Sequence, residues 1–325
     1  MILIVTNKTD YTADFLILEL QRRRIEYVRF NTEDFPLLIE VSLQIEASGE
    51  VNGWFSIYGQ RIEFTDIQSI WYRRPLSPTF PEAMFDASAQ DFIITESRYT
   101  LDSIWRILPG FWVSHPDKLR SAETKAHQLI VAAKLGLLVP DTLITTSAIQ
   151  LKTFYDNHRR DIIYKPQRHA QVDRDGHIDL IYTSLVTQDH AKSFSDVKYV
   201  PSLFQTHIPK SSELRITVVG NRVFTVQIHS QENSLAQSDW RRASSTELRH
   251  TPYDLPEEIA QRCVALVQSY DLVFGAIDMI LTPSGDYIFL EVNPNGQWAW
   301  IEQMCPEIRI CDALVELLIS QGNRS

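Results

Sequence analysis

Phe274-Gly275-Ala276-Ile277-Asp278-Met279-Ile280-Leu281, Thr282-Pro283-Ser284-Gly285-Asp286 and Tyr287-Ile288-Phe289-Leu290-Glu291-Val292-Asn293 read as strand, turn and strand. The flanks are β-branched and aromatic, and the middle has turn chemistry. If Thr282 pairs with Tyr287, counting outward places Asp278 opposite Glu291. Strand residues two apart share a face, so Glu291 and Asn293 project together. Like charges facing each other across strands are unfavourable unless something cationic lies between them. Two carboxylates and an amide oxygen are hard ligands suited to Mg²⁺, which keeps positions for water and phosphate oxygens. Asp278, Glu291 and Asn293 are therefore the metal candidates. The bland alternative is a solvated hairpin with unrelated acids.

Working outward, Pro256–Tyr270 before this hairpin and Ile310–Ile319 after it have helical spacing. Leu214–Val219, Gly220-Asn221 and Val223–Ile228 form a second hairpin. Gln231–Arg249 is long, polar and poor in regular pattern, and loops of that length are usually functional or mobile. At the other end, Ile2–Thr6 is the continuous apolar run of a strand covered on both faces. Tyr11–Arg24 reads as a helix and Tyr27–Phe30 as a strand, giving a β-α-β opening. Val41–Ile45, Trp54–Tyr58 and Arg61–Phe64 read as short antiparallel strands. Ile67–Tyr72 is a further strand, ended by Arg73-Arg74-Pro75, and Ala87–Leu108 is a long amphipathic helix. Ser121–Leu135 is expected as one helix, closed by Gly136 and Pro140. Thr142–Thr145, Ile162–Tyr164 and Asp179–Val186 read as strands, Ile149–His158 as a helix, and Pro201–Ile208 leads into the second hairpin. The expected division is 1–115, 116–204 and 205–325.

Length and charge narrow the function classes. A chain of 325 residues has room for two or three packed units. A net charge of −10 argues against a general nucleic-acid binder, which needs a basic surface. Hydrophobic residues at 44% and charged residues at 22% describe a folded chain rather than a disordered one. Cys263, Cys305 and Cys311 are too few and wrongly spaced for a disulfide framework or a zinc site, which suggests a reducing cytoplasm. No apolar run approaches the roughly 20 residues of a membrane span. The opening Met1–Thr6 reads as a strand rather than a signal peptide. No phosphate-cradling glycine motif of the P-loop or dinucleotide type occurs, and no Gly-x-Ser-x-Gly elbow.

Two lysines are placed to hold phosphates: Lys165 ends an apolar strand, and Lys125 lies on the helix leading to Leu135-Gly136-Leu137. Phe204-Gln205-Thr206-His207-Ile208-Pro209 joins two strand-rich segments and can offer backbone groups to a base edge. Arg73-Arg74 reads equally well as a structural ion pair or as part of a site.

The order of these parts resembles the ATP-grasp superfamily and, within it, the ligases of microviridin-type peptides (graspetides). The resemblance covers nearly the whole chain. Its most specific pieces are Ile70-Trp71-Tyr72-Arg73-Arg74-Pro75, Ser230-Gln231 with Asp239-Trp240-Arg241, and Glu291-Val292-Asn293-Pro294-Asn295-Gly296-Gln297-Trp298. A more distant similarity is to ligases that add glutamate to a ribosomal protein. The resemblance implies an α/β fold with an N-terminal pre-ATP-grasp domain, a central lid domain and a C-terminal ATP-grasp domain. It implies ATP and Mg²⁺ as cofactors, held by Lys125, Lys165, Gln205, Thr206, His207, Ile208 and Glu213 for the nucleotide and by Asp278, Glu291 and Asn293 for the metal. The lid departs from the pattern, because Gln167–His177 contains only Gly176, so Gln167, Arg168 or His169 are candidates to replace lid amides.

The chemistry so implied is activation of a Glu or Asp side-chain carboxylate as an acyl phosphate, then attack by a Ser/Thr hydroxyl or a Lys amine. Arginine's planar fork suits carboxylate and phosphoryl groups, which nominates Arg215 and Arg241 as catalytic. The expected partner is a ribosomally made precursor peptide with a leader segment, with Asp189 and Asp196 as its contact candidates. A homodimer is expected, with no nucleic-acid or membrane partner. The rival readings are a small-molecule carboxylate–amine ligase, a glutamate ligase acting on a protein tail, and a nucleotide-binding scaffold without chemistry.

Overall fold

Strand β1 (Ile2–Thr6) is buried along its whole length. In the computed structural model, which describes residues 1–81, 84–168, 171–174 and 177–322, its side chains alternate between two cores. Ile2 and Ile4 face helix α1 (Tyr11–Arg22), whereas Leu3 and Val5 face the opposite side, which explains the unbroken apolar run. β2 (Tyr27–Asn31) runs parallel to β1 after that helix. The meander β3 (Ile39–Ile45), β4 (Val51–Ile57) and β5 (Gln60–Glu63) forms a separate three-stranded sheet. β6 (Ser69–Tyr72), helix α2 (Ala87–Ile107) and β7 (Phe111–Val113) complete the first sheet in the order β2-β1-β6-β7. Phe55, Ile62, Leu101 and Trp105 close the second face.

The expected helix 121–135 is instead two helices, α3 (Pro116–Ala122) and α4 (Lys125–Lys134). Thr124 between them is extended, at φ −84° and ψ 104°, as suits a residue type favoured at helix starts over helix interiors. The break sets Lys125 at the first position of a fresh helix. Gly136, at φ +82°, ends α4 in a conformation that favours glycine.

A four-stranded antiparallel sheet follows, in the order β12-β9-β13-β8, from β8 (Thr142–Thr145), β9 (Ile162–Lys165), β12 (Ser184–Leu185) and β13 (Ser202–Thr206). Helix α5 (Ala148–Asn157) and the short α6 (Gln188–Ala191) cover it. The hairpin β10 (Gln171–Arg174) and β11 (His177–Leu180) rises after β9. The expected strand 179–186 is thus split between β11 and β12. Of the lid candidates, His169 lies outside the described residues, as does Gly176, the single glycine of that segment.

The C-terminal sheet has the order β16-β15-β14-β17-β18, from β14 (Ser212–Val219), β15 (Arg222–Ile228), β16 (His250–Pro252), β17 (Phe274–Leu281) and β18 (Tyr287–Asn293). Helix α7 (Glu257–Gln268) together with α3 and α4 packs on one face, against Leu214, Ile216 and Val218. Residues 116–204 therefore contribute to two cores, since α3 and α4 pack on this sheet and not on the central one. Helices α8 (Ala299–Met304) and α9 (Ile310–Gly322) return to the N-terminal sheet, where Leu314, Val315 and Leu318 share a core with Ile2, Ile4 and Trp71. The loop expected at 231–249 holds short 3₁₀ turns and packs Ala236, Ala243 and Leu248 against Ile228. Cys263, Cys305 and Cys311 are buried free thiols. Among the described residues no helix is long and apolar enough to cross a membrane.

Candidate functional site

The site is built on one row across the C-terminal sheet. Arg215 on β14 stands opposite Asp278 on β17, which stands opposite Glu291 on β18. Period two assigns Glu213, Arg215 and Thr217 to the face away from the apolar core of Leu214, Ile216 and Val218. The facing acids are Asp278 and Glu291, as the sequence indicates, but by a different route. Leu281, not Thr282, pairs with Tyr287, and a bulge between Asp278 and Met279 then restores the offset by one residue. The residue left over is Leu290. A bulge re-aims side chains, and here the consecutive Leu290 and Glu291 both line the cleft.

The cations demanded by two facing acids are present. Arg215 Nη1 donates to both oxygens of Asp278, at 2.8 and 3.0 Å. Lys125 Nζ lies 2.9 Å from Glu291 Oε2 and also donates to the Pro166 carbonyl at 3.1 Å, tying α4 to β18 and to the end of β9. Burial pushes the Glu291 carboxyl up, but the Lys125 and Lys165 ammonium groups outweigh it and hold its pKa below the ordinary value. Lys165 lies lower than an ordinary lysine, through burial and the neighbouring Lys125, with Glu291 opposing. One helical turn after Lys125, the buried Gln128 donates to the Val292 carbonyl at 2.8 Å and accepts the Val292 N–H at 3.0 Å. It satisfies the free edge of β18 between Glu291 and Asn293. Its sequence signal is a polar residue three after Lys125, on the same helix face.

Beside the row, a cleft between the central and C-terminal sheets has an apolar lining of Ile163, Leu185, Ile280 and Leu290. The strand-to-linker segment Gln205, Thr206, His207 and Ile208 forms one wall. Gln205 Nε2 donates to Thr142 Oγ1 at 3.0 Å, while its buried Oε1 has no partner. The His207 ring turns to Asp161, at 3.0 Å. Glu213 is buried and 2.5 Å from Lys210, a lysine not singled out in the sequence. Burial raises the Glu213 pKa, with Lys210 opposing.

Arg241 reaches the same cleft, held by Asp239 at 2.9 and 2.8 Å. Burial alone would raise the Asp239 carboxyl, but its bonds to Arg241 and to the Thr183 N–H, the latter at 3.1 Å, hold it well down. Arg242 of the same turn donates to the Thr183 carbonyl at 3.2 Å, so the 230–249 loop holds both backbone polar groups of one residue of the central body. Nothing periodic marks Asp239 in the sequence.

The row thus gathers Lys125, Lys165, Arg215, Arg241, Asp278 and Glu291, with Glu213 and the 205–208 segment lining the adjoining cleft. Asn293 follows on β18, exposed, with its Oδ1 accepting the Asn295 N–H at 3.0 Å. Asp189 and Asp196 lie away from it. Asp189 is exposed and 2.7 Å from Lys192. Asp196 borders an apolar groove formed by Leu151, Tyr164, Val186, Phe194 and Phe204.

Among the described residues no group of three or more His, Cys, Asp or Glu could hold a metal. The set Asp278, Glu291 and Asn293 still fits Mg²⁺, because an ion that keeps several waters asks only one or two carboxylates of the protein. Each carboxylate retains lone pairs beyond those its cation uses. The unpartnered Gln205 acceptor and the apolar walls likewise fit a purine carrying an amino group.

Residues 1–120 match the family model described as the MvdD pre-ATP grasp domain. The fold is similar to that of the macrocyclase MdnC from Microcystis aeruginosa MRC, solved bound with the precursor peptide MdnA. Identity is 30% and the TM-score 0.85, over 98% of this chain and 99% of that one. A Chryseobacterium gregarium RiPP-associated ATP-grasp ligase, solved with ADP and a leader and core peptide, is 29% identical with a TM-score of 0.91, over 98% and 96%. D-alanyl-alanine synthetase A from Vibrio cholerae, at 13% identity and a TM-score of 0.63 over 99% and 98%, shows likeness of fold alone. No curated protein matches the chain.

Proposed function

The chain belongs to the microviridin-type (graspetide) ATP-grasp ligases, and from that premise we propose that it closes rings in a ribosomally made precursor peptide at the expense of ATP. An oxygen of a substrate Glu or Asp carboxylate attacks the γ-phosphorus, the bond from that phosphorus to the β-phosphate oxygen breaks, and ADP leaves. A Ser/Thr hydroxyl or Lys amine then attacks the acyl carbon, loses its proton and expels inorganic phosphate. Such transfer asks for positioning and charge stabilisation more than covalent help.

The row Arg215–Asp278–Glu291, flanked by Lys125 and Lys165 beside the apolar cleft, is the observation that carries this reading. Lys125 and Lys165 hold nucleotide phosphates, Gln205 to Ile208 hold the base, and Glu213 reaches the ribose. Arg215 bears on the phosphoryl group and Arg241 on the substrate carboxylate. Asp278, Glu291 and Asn293 hold Mg²⁺, whose part is to neutralise charge on the phosphate oxygens. The leader segment docks in the groove of Tyr164, Val186 and Phe194, contacting Asp196 at its rim and Asp189 on the adjoining helix α6. The working assembly is a homodimer in the cytoplasm, with the chain divided at 115 and 204.

The test is incubation with ATP, Mg²⁺ and a leader-bearing peptide rich in Thr, Lys, Glu and Asp. Each ring removes one water, so mass should fall in steps of about 18 Da as ADP accumulates, by the condensation chemistry of acyl transfer. Joining of free amino acids with no peptide accepted would overturn the reading.

A further inference from the structure

Directly after Asn293 the chain folds back on the sheet. Gly296 lies so close that a Cβ there would meet the Ala276 Cβ at 2.4 Å and Arg215 Nη2 at 3.1 Å. The turn is closed within itself by the Asn295 N–H on Asn293 Oδ1, at 3.0 Å, and by the Gly296 N–H on the Asn293 carbonyl, at 3.3 Å. Two guanidinium groups grip it from outside. Arg215 Nη2 donates to the Gln297 carbonyl at 3.3 Å. Arg73, from the far end of β6 in the N-terminal sheet, donates through Nη1 to the carbonyls of Asn295 and Gly296, at 2.9 and 3.0 Å, and to Asn295 Oδ1 at 3.3 Å. The Asn295 amide in return donates to the Arg73 carbonyl.

Arg73 is itself rigidly placed. It is 1% exposed, its backbone N–H bonds the Val5 carbonyl at 2.8 Å, and its guanidinium stacks over Trp71. Asp10, the N-cap of α1, supplies its countercharge at 3.3 Å. A buried arginine is expensive, and burial holds its pKa below the ordinary value despite Asp10. Such an expense, directed at the carbonyls of one turn, is understandable if the position of that turn matters.

We propose that Arg73 is a positioning residue for the metal site: by holding the Asn295 and Gly296 carbonyls it fixes the turn whose first residue, Asn293, completes the ligand set with Asp278 and Glu291. This rests on the reading of those three residues as the Mg²⁺ site. The role resembles that of groups behind a metal's ligands, which orient them without touching the ion. It also gives the N-terminal domain a part in catalysis that its own sheet does not reveal.

Binding of ADP with and without Mn²⁺, measured by calorimetry, and Mn²⁺ affinity of the ADP complex, measured by electron paramagnetic resonance, test it. In Arg73→Gln the Mn²⁺ affinity should fall by about 10- to 100-fold, the usual effect of losing such a supporting partner. ADP affinity without metal should stay within about twofold, and Arg73→Lys, which keeps the charge for Asp10, should recover part of the loss. Unchanged Mn²⁺ affinity in a folded Arg73→Gln protein would overturn the proposal, as would an equal loss of ADP affinity without metal. If both Arg73 variants fail to fold, Asn295→Ala decides from the turn's side: reduced Mn²⁺ affinity supports the proposal, and wild-type affinity sinks it. Wild-type ADP binding indifferent to Mn²⁺ and to Asp278→Asn would overturn the metal reading itself, and the role of Arg73 with it.

Discussion

Asp10 with Arg73, and Asp278 with Arg215, are the same two functional groups in two settings. The first pair is sealed, with side chains 1% and 0% exposed and one 3.3 Å contact between them. The second opens on the cleft, 18% and 8% exposed, with contacts of 2.8 and 3.0 Å. Around the first, every partner is structural: Thr6 donates to Asp10 at 2.8 Å, and Arg73 Nη1 donates to backbone carbonyls and the Asn295 side chain, while its buried Nη2 has no partner. Around the second stand Lys125, Lys165, Glu291 and Arg241, more charge than one ion pair needs. A sealed pair has nowhere to exchange partners and acts as a brace. An open pair among surplus charges can release one partner to accept a phosphate or a metal. Exposure and neighbours, not the ion pair itself, separate architecture from chemistry.

The sharpest way to break this contrast is to remove each arginine or aspartate and read both activity and stability. Arg215→Ala should lower kcat by about 10³-fold or more, as loss of an arginine serving phosphoryl transfer does. Its ADP-binding fold should persist by calorimetry. Full retention of peptide cyclisation would remove Arg215 from the chemistry.

Asp10→Asn should show the reverse pattern. Asparagine still caps α1, but Arg73 is left as a buried unpaired charge, which typically destabilises by about 3–5 kcal/mol. Urea unfolding measures it. Asp278→Asn, at the open pair, should lose no more than about 2 kcal/mol, in the range of one charge-assisted hydrogen bond. Equal losses at the two sites would erase the distinction drawn above.

Acid titration sharpens the comparison further. Asp10 and Asp239 both have folded pKa values below the ordinary aspartate value, burial being outweighed by Arg73 and Arg241 respectively. A depressed carboxylate gives stability that is present above the unfolded pKa, near 3.8, and is lost as pH falls through the folded value. Unfolding free energy should therefore decline below about pH 4, and Asp239→Asn should flatten that decline by about 1–2 kcal/mol. A decline identical in Asp239→Asn and wild type would show that this pair carries no pH dependence.

The smallest effects should come from the rim. Asp189→Lys and Asp196→Lys should weaken leader-peptide binding by about tenfold, as rim charges tune encounter and orientation. ADP affinity and melting temperature should not move. Unaltered peptide binding in both variants would place the leader site elsewhere, and an equal loss of ADP affinity would assign the segment to the nucleotide lid.

Much of this was legible in the sequence, and the reasons are physical. Alternation at period two made the β1 run and the Asp278–Glu291 opposition readable, because side-chain direction along a strand follows from parity alone. Parity also hid an error. Pairing Thr282 with Tyr287 makes the turn one residue too short, and the bulge at Leu290 cancels the difference, because a bulge is a property of pairing that one strand's residues do not display. Arg73-Arg74 stayed ambiguous because burial depends on what packs above, and here Asn295 and Gly296 arrive from the far end of the chain. Lys210 is not marked in the sequence, and Asp239 is marked only as part of the Asp239-Trp240-Arg241 motif with no role read for it, for a related reason. They act from loops, where spacing carries no periodic signal and only the folded contacts reveal a partner.

The spare residue at Leu290 gives the hairpin slack. Residues 276–278 and 291–293 are locked to β14 on one side and to Gln128 on the other, while the ladder beyond them runs in its own offset. The tip at 283–286 is exposed and mechanically insulated from the acids it connects. It is the natural graft point in this molecule: a dye, an affinity handle or a few extra residues placed there would ride on the outside of the sheet and leave the spacing of Asp278 and Glu291 untouched.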